Sequence, residues 1–338
     1  MASFIEKVWY KPHHPLAYIL LPLTVIFLGI SSFRRFLYQK NIFKSYKSKA
    51  LVVVVGNIMV GGAGKTPLVI ALTKFLTSKG LKVGVVSRGY GSTPKTYPYR
   101  VSMDSNTQES GDEPKLIHLK SNIPVVIDPN RTNAIKSLEN EVDIIISDDG
   151  LQHYAFKRDI EIIVQDGKRL IGNGFVFPSG PLRETKKRLK EVDFIINNGG
   201  ETIPNTHLFN LTFERIYPLN NFKESLELND AQKIIGKDVT AFAGIGNPGR
   251  FYNTLKILGF NIKSTINVED HGKVNFEELK KASQINPIIM TEKDAVKYMD
   301  TQLENAYVLA VTPKFNDDFL EKLYELILKK NKIKIFKE

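Results

Sequence analysis

A chain of 338 residues with 42% hydrophobic and 25% charged side chains is long enough for two packed domains and too apolar for a disordered segment. It has no cysteine, which excludes disulfide frameworks and thiolate metal centres. A net charge of +11 admits nucleic acid, an anionic membrane or a phosphorylated ligand, and the placement of the charge decides among them.

The first element is apolar. Leu16–Ile30 reads LAYILLPLTVIFLGI, and the charge-free stretch extends from Pro15 to Phe33. That approaches the roughly 17–25 residues of a membrane-spanning helix. Pro22 and Gly29 are tolerated in such helices, and the stretch ends without a small-residue cleavage site, so an uncleaved anchor is expected over 1–45. Arg34, Arg35, Lys40, Lys44, Lys47 and Lys49 follow with no acid among them and with aromatic and aliphatic residues interleaved. Beside an anchor this basic run suits anionic lipid headgroups on the cytoplasmic face better than nucleic acid.

Val52–Val55 predicts a buried strand ending at Gly56. A glycine-rich turn, Gly61-Gly62-Ala63-Gly64, then meets Lys65-Thr66, and Pro67–Lys79 predicts a helix. Strand, glycine loop and helix form a phosphate cradle. Backbone N–H groups turn inward, the helix N-terminus adds partial positive charge, Lys65 reaches the β/γ-phosphates and the Thr66 hydroxyl suits Mg2+. The strict pattern would place glycine at 59, where Met59 stands. Switch-type ATPases with a similar loop carry an additional early lysine, and Val60 occupies that part of the loop.

Leu81–Ser87 predicts the next strand, with Arg88-Gly89-Tyr90-Gly91 at its carboxyl end, where open α/β sheets bind ligands. Ser92–Ser110 reads as a loop. Asp112 precedes a helical pattern and is either an N-cap or a carboxylate at the edge of the site. Pro124–Asp128 is a strand and Arg131–Glu141 a helix. Val142–Asp149 is an apolar strand ending in the pair Asp148-Asp149, the feature a P-loop site uses to hold Mg2+ and its waters, and His153 follows closely. Ile160–Asp166 and Val192–Asn197 are further strands. The loop between them, Phe177–Glu184, ends in Arg183-Glu184, either a phosphate clamp with a metal-shell carboxylate or a solvated pair.

Boundaries are expected near 45/46 and 203/204: a P-loop domain over 46–203 and a second α/β domain over 204–338 that starts with a β linker. There Thr206–Leu219 alternates like a strand. Val239–Gly246, Asn261–Val268, Pro287–Met290, Tyr307–Val311 and Lys332–Phe336 read as strands, with helices over Gly249–Leu258, Phe276–Ser283 and Asp317–Lys329. Gly244-x-Gly246-x-x-Gly249 invites a dinucleotide reading, with Glu269 as the acid, but the P-loop already assigns the chain a nucleotide. The fold class is therefore α/β: a P-loop NTPase-type parallel sheet domain, an N-terminal membrane helix and a smaller α/β domain.

The ordered set of motifs resembles the tetraacyldisaccharide 4′-kinase (lipid A 4′-kinase) family over the whole chain. It runs from Val55-Gly56-Asn57 and Gly61–Pro67 through Ser87–Gly91, Gly111–Pro114, Ser147–His153 and Gly180–Glu184. It continues in Ala243–Pro248, Asp270-His271 and Met290–Asp294. The resemblance implies transfer of the ATP γ-phosphate to the 4′-hydroxyl of a tetraacyl glucosamine disaccharide 1-phosphate, giving lipid IVA at the bacterial inner membrane. It implies that Lys65 holds the γ-phosphate and Thr66 the Mg2+. Asp148 and Asp149 would organise the metal, Asp112 would take the hydroxyl proton, and His271 would support Asp112 from the other domain. Arg88, Tyr90, Arg131, His153, Arg183 and Glu184 would line phosphate, metal or substrate.

Overall fold

A computed structural model describes residues 4–268, 272 and 274–335, the last of these, 331–335, by backbone alone. The chain opens with α1 (Phe4–Tyr10), α2 (Pro15–Ile19), α3 (Leu21–Gln39), β1 (Leu51–Gly56), α4 (Lys65–Ser78) and β2 (Val83–Ser87). It continues with β3 (Tyr99–Arg100), α5 (Thr107–Ser110), α6 (Asp112–Ser121), β4 (Val125–Ile127), α7 (Arg131–Leu138), β5 (Ile144–Asp148), β6 (Ile160–Asp166) and β7 (Phe194–Asn198). The rest is β8 (His207–Pro218), α8 (Leu228–Ile235), β9 (Asp238–Ala243), α9 (Pro248–Ile257), β10 (Asn261–Asn267), α10 (Phe276–Ile285), β11 (Ile288–Thr291), α11 (Glu292–Ala295), β12 (Ala306–Phe315) and α12 (Phe319–Ile335).

By packing, the chain divides into two units interleaved along the sequence. The first comprises Met1–Arg88, Ile123–Asn210 and Lys314–Glu338; the second comprises Gly89–Asn122 and Leu211–Pro313. Gly89–Asn122, placed by sequence in the P-loop domain, packs with the second unit, and Lys314–Glu338, placed in the second domain, packs with the first. Side chains explain both. Glu113 of α6 pairs with Lys293 at 3.0 Å, while Phe319 of α12 stacks edge-on against Phe194 of β7 and Glu321 meets Lys79.

The first unit is built on a parallel sheet in the order β7-β6-β1-β5-β2-β4. Its centre is β1, buried at every residue, with register Val53↔Ile146 on one side and Val53↔Ile160 on the other. A parallel strand covered on both faces has no use for polar alternation, which is why it reads VVVV. Each fully buried valine contributes roughly 1.5–3 kcal/mol relative to exposure. Every strand of this sheet points the same way, so β1, β2, β5 and β7 deliver the glycine loop, Arg88, Asp148-Asp149 and Asn198 to one edge.

α3 is a 19-residue helix long and apolar enough to cross a membrane. One face is docked on the first unit: Thr24 is buried and its hydroxyl donates to the Val176 carbonyl at 3.1 Å and to Ser179 Oγ at 2.8 Å. Phe27 stacks edge-on against Phe177. The other face leaves Leu23, Val25, Ile26, Ile30 and Phe33 exposed.

The second unit holds the parallel strands β10-β9-β11-β12, with a core of Phe242, Ile288, Met290, Val308 and Leu279 on one side. Ile216, Ala241, Phe251, Leu255 and Ile289 fill the other side. Two local expectations are corrected. Lys332–Ile335 is helix and not strand, with Phe336 outside the described residues: α12 runs on to Ile335, because no glycine or proline follows Lys329 to stop it. Ser92–Ser110 is not wholly loop, since Asn106 caps Glu109 N–H and starts α5.

Candidate active site

The phosphate loop lies between β1 and α4. Gly64 occupies the capping position of α4 with φ 87°, a left-handed conformation that favours glycine. A Cβ there would fall 2.2 Å from Asn198 Nδ2, the same nitrogen that donates to the Ala63 carbonyl at 3.2 Å. Asn57 Nδ2 holds the Gly61 carbonyl at 3.1 Å, and Gly61 itself has φ 107°. Pro67 stands in the first turn of α4, where its missing N–H breaks no helical bond. Met59 is buried and bridges to Leu182, so the departure from the strict glycine pattern is a packing choice. The loop is braced from outside by Val60 N–H to the Pro181 carbonyl at 2.8 Å and Arg183 N–H to the Ile58 carbonyl at 2.6 Å.

Lys65 extends from the first residue of α4 to Asp149 Oδ1 at 3.5 Å, and Arg183 Nη1 reaches Asp149 Oδ2 at 3.2 Å. Burial alone would raise the Asp149 carboxyl, but Lys65, then Arg183 and Arg131, outweigh it and hold the group below the usual carboxylate range. Asp149 has φ 47°, so the backbone turns sharply at the end of β5. Asp148 is 1% exposed at the strand end. Arg131, buried at the start of α7, donates Nη2 to the Asp149 carbonyl at 2.8 Å and to the Asp148 carbonyl at 3.4 Å. Its guanidinium therefore fixes the turn that carries both carboxylates.

Glu184 is saturated with donors. Oε1 accepts from Gln152 Nε2 at 2.7 Å, Oε2 accepts from the Tyr154 hydroxyl at 2.9 Å, and Arg188 and Arg35 lie at 3.5 and 3.8 Å. Gln152 Nε2 also reaches the Asn57 carbonyl at 3.2 Å, which links Glu184 to the start of the phosphate loop. Burial, and then Glu184, push the Tyr154 hydroxyl up to about 12, so it is a fixed donor. His153 stacks on Phe156. Burial, then Arg131, Arg34 and Arg158, lower it to about 4, which keeps the imidazole neutral near pH 7.

Mg2+ prefers hard oxygens and is held through one or two carboxylates, phosphate oxygens and waters rather than an all-protein cage. Among the described residues no cluster of three or more His, Cys, Asp or Glu forms such a cage. The Thr66 hydroxyl in the first turn of α4 and the carboxylates of Asp148 and Asp149 have the donor chemistry the ion needs. Glu184 braces the loop through one hydrogen bond on each oxygen, and its remaining lone pairs keep the donor chemistry for the ion's water shell.

In the second unit, Asp112 is the first residue of α6 and 7% exposed. The N-cap position belongs to Gly111, with φ 79°, so the capping reading of Asp112 does not hold. Its Oδ2 lies 3.6 Å from Lys297 Nζ. Tyr90 is 67% exposed in the same unit. His271 lies outside the described residues. Gly244 N–H donates to Asp294 Oδ2 at 2.9 Å, so a donor that the dinucleotide reading would aim at phosphate is committed to a side chain.

Three contributors lie outside the motifs read from the sequence: Asn198, Tyr154 and Lys297. Asn198 ends an apolar strand as Asp148 does, and the same strand-end rule would have found it. Nothing in the spacing marks the others.

A family model described as tetraacyldisaccharide-1-P 4′-kinase matches residues 16–328. The tetraacyldisaccharide 4′-kinase of Psychromonas ingrahamii is 44% identical over 321 residues, covering 94% of this chain and 98% of that one. The protein of the same name from Haemophilus influenzae is 44% identical over 306 residues, covering 90% of each. Among solved structures, LpxK from Aquifex aeolicus in complex with ATP aligns with a TM-score of 0.73 at 28% identity, covering 93% of this chain and 99% of that chain.

Proposed function

The chain belongs to the tetraacyldisaccharide-1-P 4′-kinase family, and on that premise we propose which of its residues carry each part of the reaction. It is an ATP-dependent lipid kinase that phosphorylates the 4′ position of its disaccharide substrate in lipid A biosynthesis. The first unit binds the nucleotide, the second completes the enzyme, and residues 1–45 hold the chain to the membrane.

The 4′-hydroxyl oxygen attacks the γ-phosphorus, the bond to the β-phosphate bridging oxygen breaks, ADP leaves and the hydroxyl proton passes to a base. The transition state is loose, with charge spread over the γ-phosphoryl oxygens, so positioning and charge neutralisation do most of the work. Backbone N–H groups of Gly61, Gly62, Ala63 and Gly64 cradle the phosphates, and Pro67 fixes the turn behind them. Lys65 and Arg183 neutralise the γ-phosphoryl charge. Thr66, Asp148, Asp149 and Glu184 would hold Mg2+, directly or through its waters, and the ion would supply charge neutralisation for the phosphates. Arg131 holds the turn of the Asp148-Asp149 pair, and Glu184 braces Gln152 and the loop. Arg88, Tyr90 and His153 face substrate, His153 as a neutral ring. Asp112 accepts the proton and His271 supports it.

The observation that carries this reading is the convergence of Lys65 and Arg183 on Asp149, at 3.5 and 3.2 Å, beside a glycine loop between strand and helix. Titration with a fluorescent ATP analogue tests it. Lys65→Ala should weaken binding, whereas Asp112→Asn should bind as the parent does; equal affinity in Lys65→Ala would refute the nucleotide site.

The lipid substrate and the apolar α3 call for membrane association. We place the enzyme on the cytoplasmic face of the bacterial inner membrane, with Arg34–Lys49 against anionic headgroups and no nucleic-acid partner. The docking of Thr24, Phe27 and Arg35 along α3 supports a helix embedded in one leaflet beside its own unit.

A further inference from the structure

The second unit holds a buried ammonium that the proposed reaction leaves without a task. The Lys297 side chain is 0% exposed, and its Nζ lies 2.9 Å from the Gly272 carbonyl, 3.1 Å from Asp294 Oδ1 and 3.6 Å from Asp112 Oδ2. An ammonium has three N–H donors, and here three acceptors from three separate segments surround it. One end of the arrangement is fixed: Asp294 is 0% exposed, and its Oδ2 accepts from Gly244 N–H at 2.9 Å and from the Thr291 hydroxyl at 2.6 Å. The other end is the carboxylate proposed to take the proton.

The neighbouring pair provides a contrast. Glu113 and Lys293 also meet, at 3.0 Å, but both remain open to solvent, at 28% and 14% side-chain exposure. Two successive acids in the first turn of α6 thus face two lysines four residues apart, and the one that meets Asp112 is sealed from water. A sealed lysine contacts neither phosphate nor sugar. Its charge is tolerated in the interior because two carboxylates and a carbonyl compensate it.

We infer that Lys297 is the positioning residue for Asp112. It orients the carboxylate through one oxygen while its other contacts, to Asp294 Oδ1 and the Gly272 carbonyl, hold the ammonium in place. The inference rests on the reading of Asp112 as the base.

A double-mutant cycle in kcat tests it, with KM for both substrates measured alongside. Lys297→Met should lower kcat by about 10²-fold, the scale of a misplaced catalytic group, with KM within about twofold. In an Asp112→Asn background the same change should cost nothing further. Should Lys297→Met fail to fold, Lys297→Met/Asp294→Asn, which removes the ion pair as a unit, carries the same comparison. A folded variant with parental kcat, or losses that multiply in the cycle, would overturn the role of Lys297 while leaving Asp112 as base. Parental kcat in Asp112→Asn alone would instead overturn the base, and the positioning role with it.

Discussion

His153 shows how a single side chain can be both near the chemistry and inert to pH. Half-buried and surrounded by Arg131, Arg34 and Arg158, it protonates at about 4 in the folded chain against 6.5 for an ordinary histidine. The unfolded chain therefore binds a proton first as pH falls. Its contribution to stability is intact above pH 6.5 and is lost progressively down to about pH 4. Urea midpoints measured across that range should fall more steeply for the parent than for His153→Asn; parallel curves would show that the ring titrates normally. The same residue illustrates what a sequence can and cannot tell. Its place four residues after Asp149 suggested the site, but its neutrality comes first from burial and then from arginines at 131, 34, 158 and 88, which no spacing rule brings together. Asp112 is the converse case: the residue type was ambiguous between cap and base, and only the backbone, with Gly111 in the capping position, resolved the first question.

At the scale of elements, the loop Phe177–Glu184 connects the anchor helix to the phosphate loop. It accepts hydrogen bonds from the Thr24 hydroxyl at Ser179 Oγ, from Trp9 Nε1 at the Pro178 carbonyl at 2.9 Å and from Val60 N–H at the Pro181 carbonyl, and its Arg183 N–H donates to the Ile58 carbonyl. Two arginines near its end look alike on paper and differ in burial. Arg188 is 3% exposed and pairs with Glu161, Glu184 and Glu191, while Arg35 is 25% exposed on its side chain and sits 3.8 Å from Glu184. Removing one partner of a buried network strands the other charges, at a cost of about 3–5 kcal/mol, whereas an open pair is worth about 0–1 kcal/mol. Arg188→Met should therefore lose several times more stability in urea unfolding than Arg35→Ala, and comparable losses would mean that Arg188 is solvated. The strands of the first unit were legible because burial on both faces demands unbroken Val and Ile runs. The tail Lys332–Phe336 misled because alternating Lys and Ile fits either a strand or the end of an amphipathic helix, and the helix already running from Phe319 decided it.

For the whole molecule, the charge of +11 is not spread evenly. Lys40, Lys44 and Lys47 are exposed in the segment just after the apolar helix, which also exposes Ile30, Phe33, Phe36, Ile42 and Phe43. Each lysine near an anionic surface contributes about 1 kcal/mol. Changing all three to Gln should weaken binding to anionic vesicles by about 10²-fold at low salt and leave binding to neutral vesicles unchanged. An equal loss on both would assign the attraction to the apolar face alone. The domain plan was the least legible feature at this scale. A linear boundary is natural to read from composition, but Gly89–Asn122 leaves the first unit and Lys314–Glu338 returns to it, through pairings such as Glu113 with Lys293 and Phe319 with Phe194 that are remote in sequence.

In the proposed reaction a nucleotide held beside Lys65 passes its terminal phosphoryl group to a sugar hydroxyl whose proton is taken by Asp112. The direct measurement is transfer of label from γ-32P-ATP to tetraacyldisaccharide 1-phosphate in detergent micelles with Mg2+, for the parent, Lys65→Ala and Asp112→Asn. The parent should yield a lipid labelled at the 4′ position, and each variant should be slower by about 10²–10³-fold, the scale of losing one transition-state contact or a general base. Labelling by either variant at the parental rate would contradict the account.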